Sequence, residues 1–129
     1  MKIKFLKAFN GDSIWISFKN NESYKNILID GGVGNTYKST SNVKGELFSV
    51  IEQIRKDKQF IDLLVLPHFD DDHIGGILRW LNKDKVASKL IKKVWFNSGK
   101  EIAKTFEVNE NKDLDIEIIE GADAFHTST

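Results

Sequence analysis

The stretch from Ile61 to Leu66, apolar but for Asp62, runs into Pro67, the chain's single proline, and then into His68-Phe69-Asp70-Asp71-Asp72-His73-Ile74-Gly75-Gly76. An apolar strand of this kind is expected to be buried on both faces, inside a sheet that helices cover. Loops at the carboxyl ends of such strands are where α/β folds build their sites. The strand and its acidic loop constrain the chain more than any other feature. Upstream, Ile3 and Phe5 alternate with lysines, and Ile14, Ile16 and Phe18 alternate with Ser13, Trp15 and Ser17. Ile27-Leu28-Ile29 forms a third strand that ends at Asp30-Gly31-Gly32, and Asn-rich turns separate the three. Val33 to Asn42 reads as a polar loop, followed by a helix with Leu47, Val50, Ile51 and Ile54 on one face. After Gly76, Ile77, Leu78 and Leu81 suggest a second helix carrying Trp80. Val94-Trp95-Phe96 reads as a short strand, and Ile116, Ile118 and Ile119 mark a last one. The tail from Ala122 to Thr129 has no periodicity. The order of elements is that of a mixed α/β (α+β) domain, and 129 residues suit one domain, residues 1–129.

Composition narrows the function. Nineteen Lys+Arg balance nineteen Asp+Glu, which argues against a general polyanion binder. No cysteine is present, so disulfides and Cys-ligated zinc are excluded. The longest unbroken apolar run, Leu63 to Leu66, is far too short to span a bilayer. With no signal-peptide pattern before the first strand, a soluble cytoplasmic domain without membrane contact is expected. The three tryptophans are read as packing residues.

Five of the six residues from His68 to His73 are Asp or His. If this loop stays extended, residues two apart share a side. His68, Asp70 and Asp72 then converge, and His73 adds a fourth donor where the chain turns into the helix. Carboxylates and imidazoles crowded this way are costly to desolvate unless a cation neutralises them. Gly75-Gly76 would let the backbone turn tightly beside that cation. Competing motifs fail. Gly32-Val33-Gly34 has Tyr37 where a dinucleotide fingerprint needs glycine. No phosphate-loop lysine follows a glycine loop, and no glutamate closes a calcium loop. A receiver-type acid pair should follow the first strand, where only Asp12 stands.

The segment resembles the His-x-His-x-Asp-His-x-Gly-Gly signature of metallo-β-lactamase-fold hydrolases, with Asp70 in place of the second histidine. That His-x-Asp-x-Asp-His form is similar to the one in competence-type DNA-uptake members. Asn10-Gly11-Asp12-Ser13, Ile27 to Gly32, and Val94-Trp95-Phe96-Asn97-Ser98 are similar to flanking segments of the family, so the resemblance covers most of residues 1 to about 100. It implies the N-terminal half of an αββα sandwich, a mixed sheet with flanking helices. It also implies two divalent ions, zinc by default. His68 and Asp70 would belong to the first site and Asp72 and His73 to the second, with Asp72 also a catalytic base or proton shuttle. Asp70, harder than imidazole, would admit manganese or iron. Asp30 resembles an aspartate that supports the metal loop; it reads equally well as the cap of the Gly31-Gly32 turn. The implied activity is a metal-dependent hydrolase acting on an ester, with phosphodiesters of small molecules, nucleotides or nucleic acids as the substrate class. The alternative is a non-enzymatic metal-binding or interaction module of the same fold.

Two ligands per ion fall short of the usual three plus water. His126, in the tail, is a weak candidate, and Asp113, Asp115, Glu117, Glu120 and Asp123 give no assignable bridging acid. The chain is therefore expected to be incomplete at its C-terminus. A sheet face left bare should favour homo-oligomers or a covering partner.

Overall fold

The computed structural model describes residues 1–96 and the backbone of 115–118. His126, Asp113, Glu120 and Asp123 lie outside the described residues, as do Ile119 and the tail. Four early elements carry strand and helix: β1 (Lys2–Phe5), β2 (Ile14–Asn20), β3 (Ser23–Ile29) and a short α1 (Gly34–Tyr37). They are followed by α2 (Glu46–Lys56), β4 (Leu63–Leu66), α3 (Asp71–Lys83), β5 (Lys93–Phe96) and β6 (Asp115–Ile118). The strands form one six-stranded sheet in sequence order. β1, β2 and β3 pair antiparallel through their turns, and β3 to β6 pair parallel. The mixed sheet with helices matches the expected architecture.

Two expectations need correction. The polar loop at Val33 to Asn42 contains α1, with Thr36 and Tyr37 buried. β4 is not buried on both faces: Leu64 and Leu66 are buried, whereas Leu63 and Val65 are half-exposed. Register explains the asymmetry. Trp15 lies opposite Leu28, Leu28 opposite Leu64, Leu64 opposite Val94, and Leu66 opposite Phe96. This row is buried together with Leu47, Val50, Ile51 and Ile54 of α2 and Ile74, Ile77, Trp80 and Leu81 of α3. The alternate row joins Ile3 to Ile16, Ile27 and Leu63, and Phe5 to Ile14, Ile29, Val65 and Trp95. None of these belongs to the buried core, and Ile3 and Phe5 are 53% and 74% exposed. Among the described residues, one face of the sheet is covered and the other is bare.

The helices are tied together by one carboxylate. Asp84, just past α3, accepts from Arg55 of α2 at 2.7 Å and from the Trp80 indole at 3.0 Å. Its other oxygen accepts the Val86 amide at 3.1 Å. Burial works to raise the pKa of Asp84, but these hydrogen bonds and the Arg55 charge hold it below the ordinary carboxylate value.

Candidate functional site

Helix α3 begins earlier than the apolar pattern after Gly76 suggests. Asp70 sits at the N-cap with extended backbone, and its carbonyl accepts the amides of His73 at 2.9 Å and Ile74 at 3.0 Å. Asp71 and Asp72 then occupy the first turn, where carboxylates complement the positive end of the helix dipole. Ile74, Ile77 and Leu81 share the buried face, so the helical period extends upstream through the glycines. The extended loop expected from His68 to Asp72 is thus replaced by a strand exit followed by a helix start.

This start redistributes the four proposed ligands around His73. The imidazole of His68 lies against that of His73, ring centroids 4.7 Å apart and tilted by 50°. Asp72 Oδ1 is 3.8 Å from His73 Nε2, and Asp30 Oδ2 is 3.2 Å from His73 Nδ1. Asp70 is exposed and its side chain caps nothing; Asp71 is exposed as well. The convergence of His68, Asp70 and Asp72 on one side does not form, because Asp72 rides on the helix instead of an extended chain.

Asp30 is held from several directions. It ends β3 with φ of 60°, its amide donates to the Val65 carbonyl at 2.9 Å, and its carbonyl accepts the Ser13 hydroxyl at 3.0 Å. Its carboxylate lies beside His73, and no hydrogen bond from it caps the Gly31-Gly32 turn among the described residues; the Gly31 amide donates to the His73 carbonyl instead. Burial pushes its carboxyl up to about 6; His73 pulls the other way, and the charges of Asp12 and Asp72 add to the rise. Asp30 Oδ1 and His73 Nδ1 are buried without an aligned hydrogen bond among the described residues.

Two local features went unread in the sequence. The Asp12 amide donates to the Asp72 carbonyl at 3.3 Å, which brings the β1–β2 turn onto the first turn of α3. A Cβ on Gly11 would run into that same carbonyl oxygen. Gly75 and Gly76, expected to turn beside a cation, lie inside α3 instead. The Gly31 amide donates to the His73 carbonyl at 2.6 Å and the Gly76 amide to the Gly32 carbonyl at 2.9 Å. A Cβ on Gly76 would collide with the Gly31 carbonyl, so the glycine lets the helix lie directly on the end of β3. The signal was present as paired glycines in both segments, Gly31-Gly32 and Gly75-Gly76.

In kind, these donors fit a divalent ion. Imidazoles and a carboxylate meet, with the buried Asp30 beside Nδ1 of His73 and Asp72 toward Nε2. In number they fall short. Among the described residues, no three His, Asp or Glu side chains are gathered closely enough to hold an ion together.

Comparison with known proteins agrees with the fold. A family model described as the metallo-beta-lactamase superfamily matches residues 10–128, nearly the whole chain. The chain belongs to that superfamily, which supports a hydrolase-type fold. Among solved structures, a metallo-beta-lactamase from Pontibacter korlensis is similar at 15% identity and a TM-score of 0.39, over 90% of this chain and 52% of that one. The chain thus spans about half the length of that protein. No curated protein matches. No helix among the described residues is long and apolar enough to cross a membrane.

Proposed function

We propose that this chain supplies part of the active centre of a metal-dependent hydrolase that cleaves phosphodiesters. The observation that carries the reading is the setting of His73: Asp30 at 3.2 Å on one nitrogen, Asp72 at 3.8 Å from the other, and His68 against the ring. Asp30 sets a buried carboxylate 3.2 Å from His73 Nδ1, the position from which a carboxylate supports a ligating imidazole once the two are aligned. His68 and Asp70 would each give a ligand to one divalent ion and Asp72 and His73 to a second, each pair short of a full set by itself. A bound divalent ion supplies Lewis acidity and lowers the pKa of water. Asp72, partly open to solvent, accepts or passes a proton at its Oδ1. The phosphodiester preference and the kinship to DNA-uptake members rest on the His-x-Asp-x-Asp-His form of the motif. Zinc is the proposed metal, with manganese or iron admitted by Asp70.

Metal content and hydrolysis of bis(4-nitrophenyl) phosphate, compared in the wild-type chain and His68→Ala, test the reading. The variant should lose metal, and its turnover should fall by at least about a hundredfold. Unchanged activity would remove His68 from the mechanism. Metal bound by the wild type without any turnover would favour the non-enzymatic module.

A further inference from the structure

On the covered side of the sheet, away from His73, lies an open groove of about 800 Å³ between the β1–β3 edge and α2. Its volume falls in the range of small-molecule sites, roughly 300–1,000 Å³. The floor is rigid. The Trp15 indole donates to Asn26 Oδ1 at 2.9 Å, and the fully buried Asn26 is itself fixed by Gln59 at 3.0 Å and the Phe60 carbonyl at 2.9 Å. Lys2 Nζ lies 5.3 Å from the centroid of the Trp15 ring. Lys2 and Lys4 both line the groove, and neither has a carboxylate partner among the described residues. Asp57, the one acid on the wall, is already engaged by Gln53 Nε2 at 2.8 Å. At the far end stands Tyr24, a residue 52% exposed, with Lys19 Nζ 6.0 Å from its ring centroid. β1 and β3 are two strand spacings apart and the register sets Tyr24 two residues along from Lys2 and four from Lys4, so the Cα separations are about 12 and 16 Å, a span that a mononucleotide and the long lysine side chains bridge together.

From these features we infer that the groove binds a small organic phosphate carrying a planar ring, of the nucleoside monophosphate class. The unpaired lysines take the phosphate and Tyr24 stacks on the ring, since aromatic stacking tolerates any base. Gln53 and Ser17 offer neutral polar groups between the two ends. The groove uses no residue of the His73 centre, so the inference stands apart from the hydrolase reading. It also opens on the side opposite the bare sheet face, and self-association through that face leaves it accessible.

Calorimetric titration of the metal-free 129-residue chain, in chelator, with adenosine 5′-monophosphate tests it. The monophosphate should bind at least about tenfold more tightly than adenosine or inorganic phosphate. The double variant Lys2→Ala/Lys4→Ala should lose that advantage over adenosine, and Tyr24→Ala should lose it over phosphate. Thermal midpoints should hold in both, since these side chains lie outside the core. His73→Ala should bind the monophosphate as the wild type does, whatever becomes of hydrolysis. No measurable heat, equal affinity for inorganic phosphate, or undiminished binding by the double variant would each overturn the assignment. Binding lost in His73→Ala alone would move the ligand to the other centre and overturn it equally.

Discussion

His73 is placed between two carboxylates of opposite character, and that contrast gives the residue scale its tests. Asp30 is buried and its pKa is pushed up to about 6, whereas Asp72 is partly open to solvent. Asp30→Asn keeps the size and tolerates the positive φ about as well as Asp, so it isolates the loss of charge. Zinc affinity measured by titration should fall about 10–100-fold while the fold survives; an unchanged affinity would reduce Asp30 to a turn residue. Asp84 gives an independent test away from the centre. Its folded pKa is depressed, so its contribution to stability is present above the unfolded value of about 3.8–3.9 and is lost as pH falls through the lower folded one. Asp84→Ala leaves the buried Trp80 N–H without its acceptor and should cost about 1–3 kcal/mol at pH 7. Urea denaturation at pH 7 and at pH 3 should show the variant's deficit shrinking on acidification; a constant deficit would contradict the assignment.

At the scale of elements, the start of α3 and its approach to β3 decide the site. Gly76→Ala pits two effects against each other. Helix propensity favours alanine by about 1 kcal/mol, while a Cβ driven into the Gly31 carbonyl forces a backbone shift costing about 1–3 kcal/mol. Sterics should win or tie, and because the His73 carbonyl bonds the Gly31 amide in the same contact, metal affinity should drop even where stability changes little. Denaturation and zinc titration of this variant separate the two outcomes; a more stable variant with full affinity would refute the close-packing account. Much of this framework was readable in advance. Period-two alternation located the early strands, and the Leu47-Val50-Ile51-Ile54 face located α2. The beginning of α3 was missed because the acidic residues drew attention as ligands, although the same carboxylates favour a helix N-terminus. The asymmetry of β4 was missed because an apolar run carries no information about which neighbour covers each face. That became visible only through the register of Leu64 with Leu28 and Val94.

For the whole molecule, the bare face dominates behaviour. Ile3, Phe5, Ile14, Ile16, Phe18, Ile27 and Ile29 all lie outside the buried core, in line with the expectation of a sheet face left bare. Ile3 and Phe5 are exposed and the other five half-buried; a side chain of this kind left wholly in water forgoes about 1.5–3 kcal/mol, against a domain stability of about 5–15 kcal/mol. The 129-residue chain made alone should therefore self-associate or fold incompletely, and Phe5→Lys with Ile16→Lys should shift it toward monomer in sedimentation. A monodisperse wild-type monomer with strongly protected amides throughout β1, β2 and β3 would contradict this.

Residues around His73 are proposed to form part of a metal centre. Calorimetric titration of zinc into the chelator-stripped chain tests it most directly, with His73→Ala and the exposed Asp71→Ala as the paired variants. Saturable binding is expected for the wild type, retained in Asp71→Ala and lost in His73→Ala. Zinc that fails to bind the wild type, or that binds His73→Ala as tightly, would contradict it.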